Sequence, residues 1–317
     1  MAEWLYEAGI GEARAALVAG GRIVEARVER PGELRVGTVF EAALVERVAA
    51  GLSRVEGDAG AAVIAKVPPG VTEGARLRVE VVREALPETG RVKLAKVVAT
   101  DAEPTDGPDL LARCQASGQP VRMLRAHEPD ALEAAGWSEI LDEALTGEID
   151  FAGGALRLSP TPAMTLFDVD GPGATAALAV AAATAAAQAI VRHDIGGSIG
   201  IDFPTVTGKA ERLAVAAAID AVLPQPFERT ALNGFGFLQI VRPRPRASLP
   251  ELLRADPIAA QALALLRRIE RTPPPVPAEH SAPHRVVAWL DRHPHLIAEL
   301  SRRAGVAITL RGSNGQG

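Results

Sequence analysis

Three carboxylates in the middle of the chain have types and spacing that could do chemistry. TLFDVDG puts Asp168 and Asp170 at the end of one apolar run, and SIGIDF puts Asp202 at the end of another. Asp168 and Asp202 are 34 residues apart (202 − 168), with one alanine-rich stretch between them, which is the size of a single strand-helix-strand crossover. Parallel neighbouring strands would bring the C-terminal ends of both runs to one edge of a sheet, where open α/β sheets place their sites. Asp168 and Asp170 lie two apart and face the same side of a regular strand. Carboxylates gathered in this way repel one another unless a cation compensates. Hard oxygen ligands suit Mg²⁺ or Mn²⁺, which keep several waters. An Asp at a strand end is also a common turn former or N-cap of the next helix. Spacing alone leaves the metal and the turn readings both open.

The elements that must position these acids can be read in order. Residues 1–30 predict two strands, ARAALVAG and GRIVEARVER, joined at Gly20-Gly21 as a hairpin. Short strands separated by Gly/Pro turns continue over residues 36–98 and predict a small barrel of the OB type. DAEPTDGPD, residues 101–109, has the composition of a linker. Helical periodicity with one short strand near 121–124 fills residues 109–148. From 155 to 242 strands and helices alternate: ALRLSP, AMTLFDVDG, the alanine-rich run 174–191, GGSIGIDF, KAERLAVAAAIDAVLP and FGFLQIVRPRPR. This pattern predicts an α/β core. A helix over 257–269, a proline-rich linker over 272–283, the helix HRVVAWLDR and the strand GVAITLR follow. The predicted division is 1–35, 36–100, 101–154, 155–248 and 249–317.

Composition narrows the function classes. With 317 residues, 48% of them hydrophobic, the chain can bury a substantial core. The abundant alanine reads as a compositional bias without functional meaning. A single cysteine, Cys114, excludes an intrachain disulfide and any multi-thiolate zinc site, and a reducing cytoplasm is the expected compartment. The N-terminus carries Glu3, Glu7 and Glu12 without the basic-then-apolar order of a signal peptide. The run 174–191 is mostly alanine, contains Thr175, Thr184 and Gln188, and predicts a core helix rather than a membrane span. A net charge of −5 argues against nonspecific coating of nucleic acid but permits a local basic groove. The densest basic patch is Arg242, Arg244 and Arg246, alternating with prolines. It reads equally as a phosphate track or as a solvated exit from the core.

AGWSEILDEALTGEIDFAGGALRLSPTPAMTLFDVDG, followed by the alanine-rich helix and HDIGGSIGIDF, resembles the ribonuclease E/G family. The resemblance extends to NGFGFLQIVRPR and to the C-terminal IAAQALALLRRIER and VVAWLDRHPHLIAELSRRAGVAITLR. It implies a multi-subdomain α+β and α/β chain. In that arrangement the opening hairpin and an inserted RNA-binding OB barrel belong to an RNase H-like subdomain. An α/β, DNase I-like metal-binding subdomain and a small α/β C-terminal domain follow. It implies that Asp168 and Asp202 hold Mg²⁺, with Mn²⁺ as a substitute, for in-line attack of water on an RNA phosphodiester. Asp170 falls where the family has an asparagine that orients the attacking group. His193 falls on a phosphate-contacting arginine, although a histidine at a helix C-terminus is also favoured by the dipole. Arg242, Arg244, Arg246, His193 and Lys209 are then the expected RNA contacts.

The implied function is Mg²⁺-dependent endonucleolytic cleavage of single-stranded RNA, in RNA processing or decay. The alternative is a non-catalytic RNA-binding or assembly module that keeps the fold. The expected partner is single-stranded RNA, with no membrane. The family's zinc-link cysteines have no counterpart, so no zinc is expected and any homodimer is not zinc-linked. No arginine-threonine step of a 5′-monophosphate sensor is found. Gly234 replaces an arginine, Thr205 replaces the second acid of the family's IDFIDM, and Phe40 is the only ring in the barrel segment.

Overall fold

A computed structural model describes residues 1–313 apart from 33, 49–50, 89–90 and 174. The predicted helix start at Ala174 therefore lies outside the described residues. Three strands open the chain rather than two: β1 (Glu3–Ala8), β2 (Ala13–Ala19) and β3 (Arg22–Glu29). β2 and β3 form the expected hairpin, with Gly20 and Gly21 at φ +59° and +76°, the left-handed pair that a tight two-residue turn requires. β1 pairs antiparallel with β2. Its Trp4 and Tyr6 are buried on one face and Leu5 on the other, so it shows none of the alternation that marks a half-exposed strand.

The expected barrel is present as five closed strands. β4 (Val39–Glu46), β5 (Ser53–Gly57), β6 (Gly60–Ile64) and β7 (Arg76–Arg83) precede a small hairpin, β8 (Leu86–Glu88) and β9 (Arg91–Lys93). β10 (Ala95–Ala99) closes the barrel between β6 and β7. Phe40, Leu44, Val55, Ile64, Val79 and Val97 fill its interior. The segment after it is strapped to the barrel, because Thr105 and Val39 exchange backbone hydrogen bonds.

α1 (Leu110–Ala116) is capped by Asp109, whose carboxylate accepts from Ala112 N–H at 2.8 Å. β11 (Val121–Met123) joins the first sheet parallel to β1. α2 (Ala131–Ala134) and α3 (Trp137–Thr146) cover that sheet through Leu132, Trp137 and Ile140.

The second half is a six-stranded mixed sheet in the order β12-β13-β14-β15-β17-β16. Its members are β12 (Glu148–Phe151), β13 (Gly154–Pro160), β14 (Thr165–Asp170), β15 (Gly197–Asp202), β16 (Glu228–Arg229) and β17 (Phe237–Arg242). α4 (Ala176–Arg192) crosses from β14 to β15, which therefore run parallel, and α5 (Lys209–Val222) follows β15. Both helices pack on one face of the sheet through Phe167, Ile199, Ile201, Leu238 and Ile240. α4 also touches β3 of the first sheet, and Ala179, Ala182, Ala183, Ala186, Ala187 and Ala189 are wholly buried.

α6 (Leu249–Ala255), α7 (Pro257–Glu270), α8 (His284–Asp291) and α9 (Pro294–Ala304) build the C-terminal part, where β18 (Glu279–Pro283) pairs parallel with β19 (Thr309–Ser313). The second half of the predicted proline-rich linker is thus a strand. Its sequence, EHSAP, has no apolar alternation to announce it. A buried ion network ties this part to the N-terminus: Arg14 donates to Glu7 and Asp130, each at 2.8 Å, and Arg271 donates to Glu7 at 2.6 Å.

The close packing of α4 yields a stability prediction. Ala186→Leu inserts a larger, branched side chain at a wholly buried position and should destabilise the protein by about 1–3 kcal/mol, as overpacked cores do. Ala177→Leu, on the exposed side of the same helix, should leave urea unfolding nearly unchanged.

Candidate functional site

The parallel register of β14 and β15 pairs Asp168 directly with Asp202. Neighbouring strands lie about 4.8 Å apart, so the two backbones hold these carboxylates side by side. Phe167 and Ile201, one residue earlier on each strand, point into the helical layer and are fully buried. By alternation Asp168 and Asp202 point to the opposite face, which no helix among the described residues covers, and both are exposed.

Neither aspartate is a helix cap. The cap of α4 is Thr175, whose hydroxyl accepts from Leu178 N–H at 3.1 Å. At α5 the Gly208 N–H donates to Glu211 at 3.2 Å. Among the described residues the side chains of Asp168, Asp170 and Asp202 have no hydrogen-bond or ion-pair partner, so the turn reading left open by their spacing lacks support.

The register extends across the sheet. Arg157 on β13 is opposite Asp168, Glu148 on β12 is opposite Arg157, and Phe237 on β17 is opposite Asp202. One row of the uncovered face thus reads Glu148, Arg157, Asp168, Asp202, Phe237. Asp150 and Asp170 belong to the next row, both opposite Ala155. Asp170 lies beyond the end of β15, roughly 7 Å along the strand from Asp168. Among the described residues no three His, Cys, Asp or Glu side chains gather into one metal-ligand set. The structure therefore brings Asp168 and Asp202 together and leaves Asp170 one pleat away. Arg157 was legible in ALRLSP, where it alternates with Leu156 and Leu158, but only the hairpin register shows that it faces Asp168.

Comparison with known protein families and with curated proteins finds no match to this chain.

The arginines that end and follow β17 lie at the other end of the sheet. Asp202 is opposite Phe237 whereas Gly197 is opposite Arg242, a separation of five residues, roughly 17 Å. Arg242 donates to the Ile195 carbonyl at 3.0 Å, and burial holds its guanidinium below the ordinary arginine range. Arg244 pairs with Glu251. Arg246 lies 3.7 Å from Glu84 and 3.8 Å from Asp194. Lys209 opens α5 just after the loop leaving Asp202, and its exposed ammonium has no ion-pair partner among the described residues.

His193 is fully buried at the end of α4. Its Nε2 and the Arg192 Nε both lie 2.9 Å from Oε2 of Glu143 on α3, and its carbonyl accepts from Leu249 N–H of α6 at 3.0 Å. Burial holds the imidazole below its ordinary value near 6.5, against the opposing hydrogen bond to Glu143. Burial alone would raise Glu143, but the His193 hydrogen bond and the Arg192 charge outweigh it and hold the carboxyl below 4.5. This cluster joins three helices, and its histidine is closed to any ligand. Cys114 is likewise buried, its thiol pushed up to about 11 by desolvation, so it stays protonated near neutrality.

The cluster predicts a pH dependence of stability. Below about pH 6.5 the unfolded chain takes up a proton on His193 that the folded chain resists. Stability should fall as the pH drops through that point, by at most about 1.4 kcal/mol per unit, until the folded imidazole also protonates. Glu143 adds a loss below about 4.5. Urea unfolding between about pH 7.5 and 5.5 should show this slope, and His193→Gln should flatten it.

Proposed function

We propose that the chain is a divalent-metal-dependent endoribonuclease acting on single-stranded RNA. The observation that carries this reading is the register of β14 and β15, which sets side by side two exposed carboxylates that have no partner among the described residues. Exposed carboxylates facing a polyanion would repel it, so their value to an RNA-binding surface depends on a cation. The architecture supports the same reading. The closed barrel occupies the segment that the resemblance to the ribonuclease E/G family assigns to an RNA-binding OB barrel. The first sheet falls in the RNase H-like segment, and the six-stranded sheet in the DNase I-like catalytic one except for β12, which comes from the segment before it.

Asp168 and Asp202 fit Mg²⁺ or Mn²⁺, because two hard oxygens leave such an ion several positions for water. When bound there, the ion would supply Lewis-acid polarisation of a phosphate oxygen and a more acidic water. Asp170, one pleat along the same face, would accept a hydrogen bond from the attacking water. Arg157, opposite Asp168, would partly neutralise the carboxylates when no ion is bound. Of the expected RNA contacts, Lys209 is exposed and has no ion-pair partner among the described residues, which leaves its charge to meet a phosphate. A second reading, a non-catalytic RNA-binding module, is favoured by one observation: Asp170 does not join the other two acids in a single ligand set.

Cleavage of a short unstructured RNA with and without Mg²⁺ distinguishes the two. The native protein should cleave only with metal. Asp202→Asn should lower the rate by at least about a hundredfold, since even indirect partners of metal ligands are worth 10–100-fold. The substitution lies on an exposed face, so circular dichroism should stay native. RNA binding without any metal-dependent cleavage would establish the binding module instead. RNAs with a 5′-monophosphate and a 5′-hydroxyl should be cut at similar rates.

A further inference from the structure

Of the seven Phe, three Trp and one Tyr, Phe235 alone is exposed, at 89%. It is not a loose end. The Asn233 side-chain oxygen accepts from the backbone N–H of Phe235 at 2.9 Å and from that of Phe237 at 3.0 Å. Gly236 has φ +93°, and a side chain there would run into the Phe203 carbonyl. The Phe203 N–H donates to the Gly236 carbonyl at 2.9 Å. The loop carrying Phe235 is therefore bolted to the residue that follows Asp202. Two residues on, the Phe237 ring lies over Gly200 on the uncovered face, beside Leu166. Gly200 leaves the strand bare enough for the ring to lie against it.

The barrel has no comparable ring, since Phe40 is 7% exposed and belongs to its interior. Proteins that hold single strands stack bases on exposed aromatic faces, because every base has a π-face whatever its sequence. A ring held out into solvent on a loop anchored to the residue after Asp202 is placed to meet a nucleotide whose phosphate those acids would address.

Building on the ribonuclease reading, we propose that Phe235 stacks on a base of single-stranded RNA beside Asp202, with Phe237 and Leu166 flooring the same step. The base-recognition surface is then on the six-stranded sheet and not on the barrel. Sequence tolerance follows, because stacking selects flat rings and not their edges.

The test measures binding, separately from cleavage. A 2′-O-methyl oligoribonucleotide, which resists cleavage, is titrated by fluorescence anisotropy in Mg²⁺ against the native protein, Phe235→Ala, Phe235→Leu and Phe235→Tyr. Stacking predicts that Ala weakens binding by roughly 5- to 100-fold, that Leu does so comparably although it is apolar, and that Tyr restores it. One abasic position in the oligonucleotide should weaken native binding and leave the Ala variant unaffected. Native-like binding by Phe235→Ala or Phe235→Leu overturns the proposal, whatever the cleavage assay shows. Binding that follows the stacking pattern in a protein that never cleaves supports the proposal and sinks the ribonuclease reading. Absence of native binding overturns both. Self-association that Phe235→Ala abolishes, with RNA binding unchanged, assigns the ring to a second copy of the chain and overturns the proposal.

Discussion

Helix α4 touches two sheets at once, and it can do so because its side chains are small. On one side it packs against β12, β13 and β14, on another against β3, and along its length against α5. Interaxial and helix-to-sheet distances shrink with the side chains at the contact, so alanine lets the backbones approach where leucine would force them apart. Each buried alanine removes little apolar area from water, and the stabilisation comes instead from dense contact on several faces. The same helix is the crossover that makes β14 and β15 parallel neighbours, which sets Asp168 beside Asp202. The carboxylate pair thus depends on a helix thin enough to fit between its neighbours.

Charge is distributed with similar economy. The arginines that end and follow β17 act as latches, each turned toward a carbonyl or carboxylate of a neighbouring element. Arg14, 1% exposed, sits between Glu7 and Asp130 and over the Trp137 ring, 5.2 Å from its centroid. A buried charge is tolerable only when its partners are fixed, so this network favours one arrangement of the N-terminal sheet against α7. Cations committed in this way are not available to a phosphate backbone. The basic composition of a segment therefore overstates its attraction for RNA.

The parts legible in the sequence are those where local pattern and tertiary role agree. Glycine pairs and alternation marked the β2-β3 hairpin and the barrel, and the spacing of Asp168 and Asp202 pointed to one crossover. β1 was missed because it is buried on both faces and alternates on neither. β18 was missed because EHSAP carries no apolar signal and pairs only with a strand far along the chain. The alanine content, read as bias, turned out to be what the packing of α4 requires. Whether an aspartate caps a helix or stands free depends on which neighbour supplies the cap, and Thr175 and Glu211 settle that for both strands. The direction in which Arg242, Arg244 and Arg246 point, and the exposure of Phe235, are properties of tertiary contacts that no local window contains.

The bare face of the six-stranded sheet has a further consequence. A twisted sheet with one uncovered side offers a second molecule a broad, nearly continuous surface to settle on, and proteins with such faces are prone to stick. Here that face carries Glu148, Asp150, Asp168, Asp170 and Asp202, all exposed and answered by Arg157 from the same rows. Two copies approaching face to face would bring these acids against each other, and their repulsion would oppose that contact. The acids that could hold a cation thereby also serve as a colloidal stabiliser, and a chain stripped of them would lose its protection against self-association along with any chemistry.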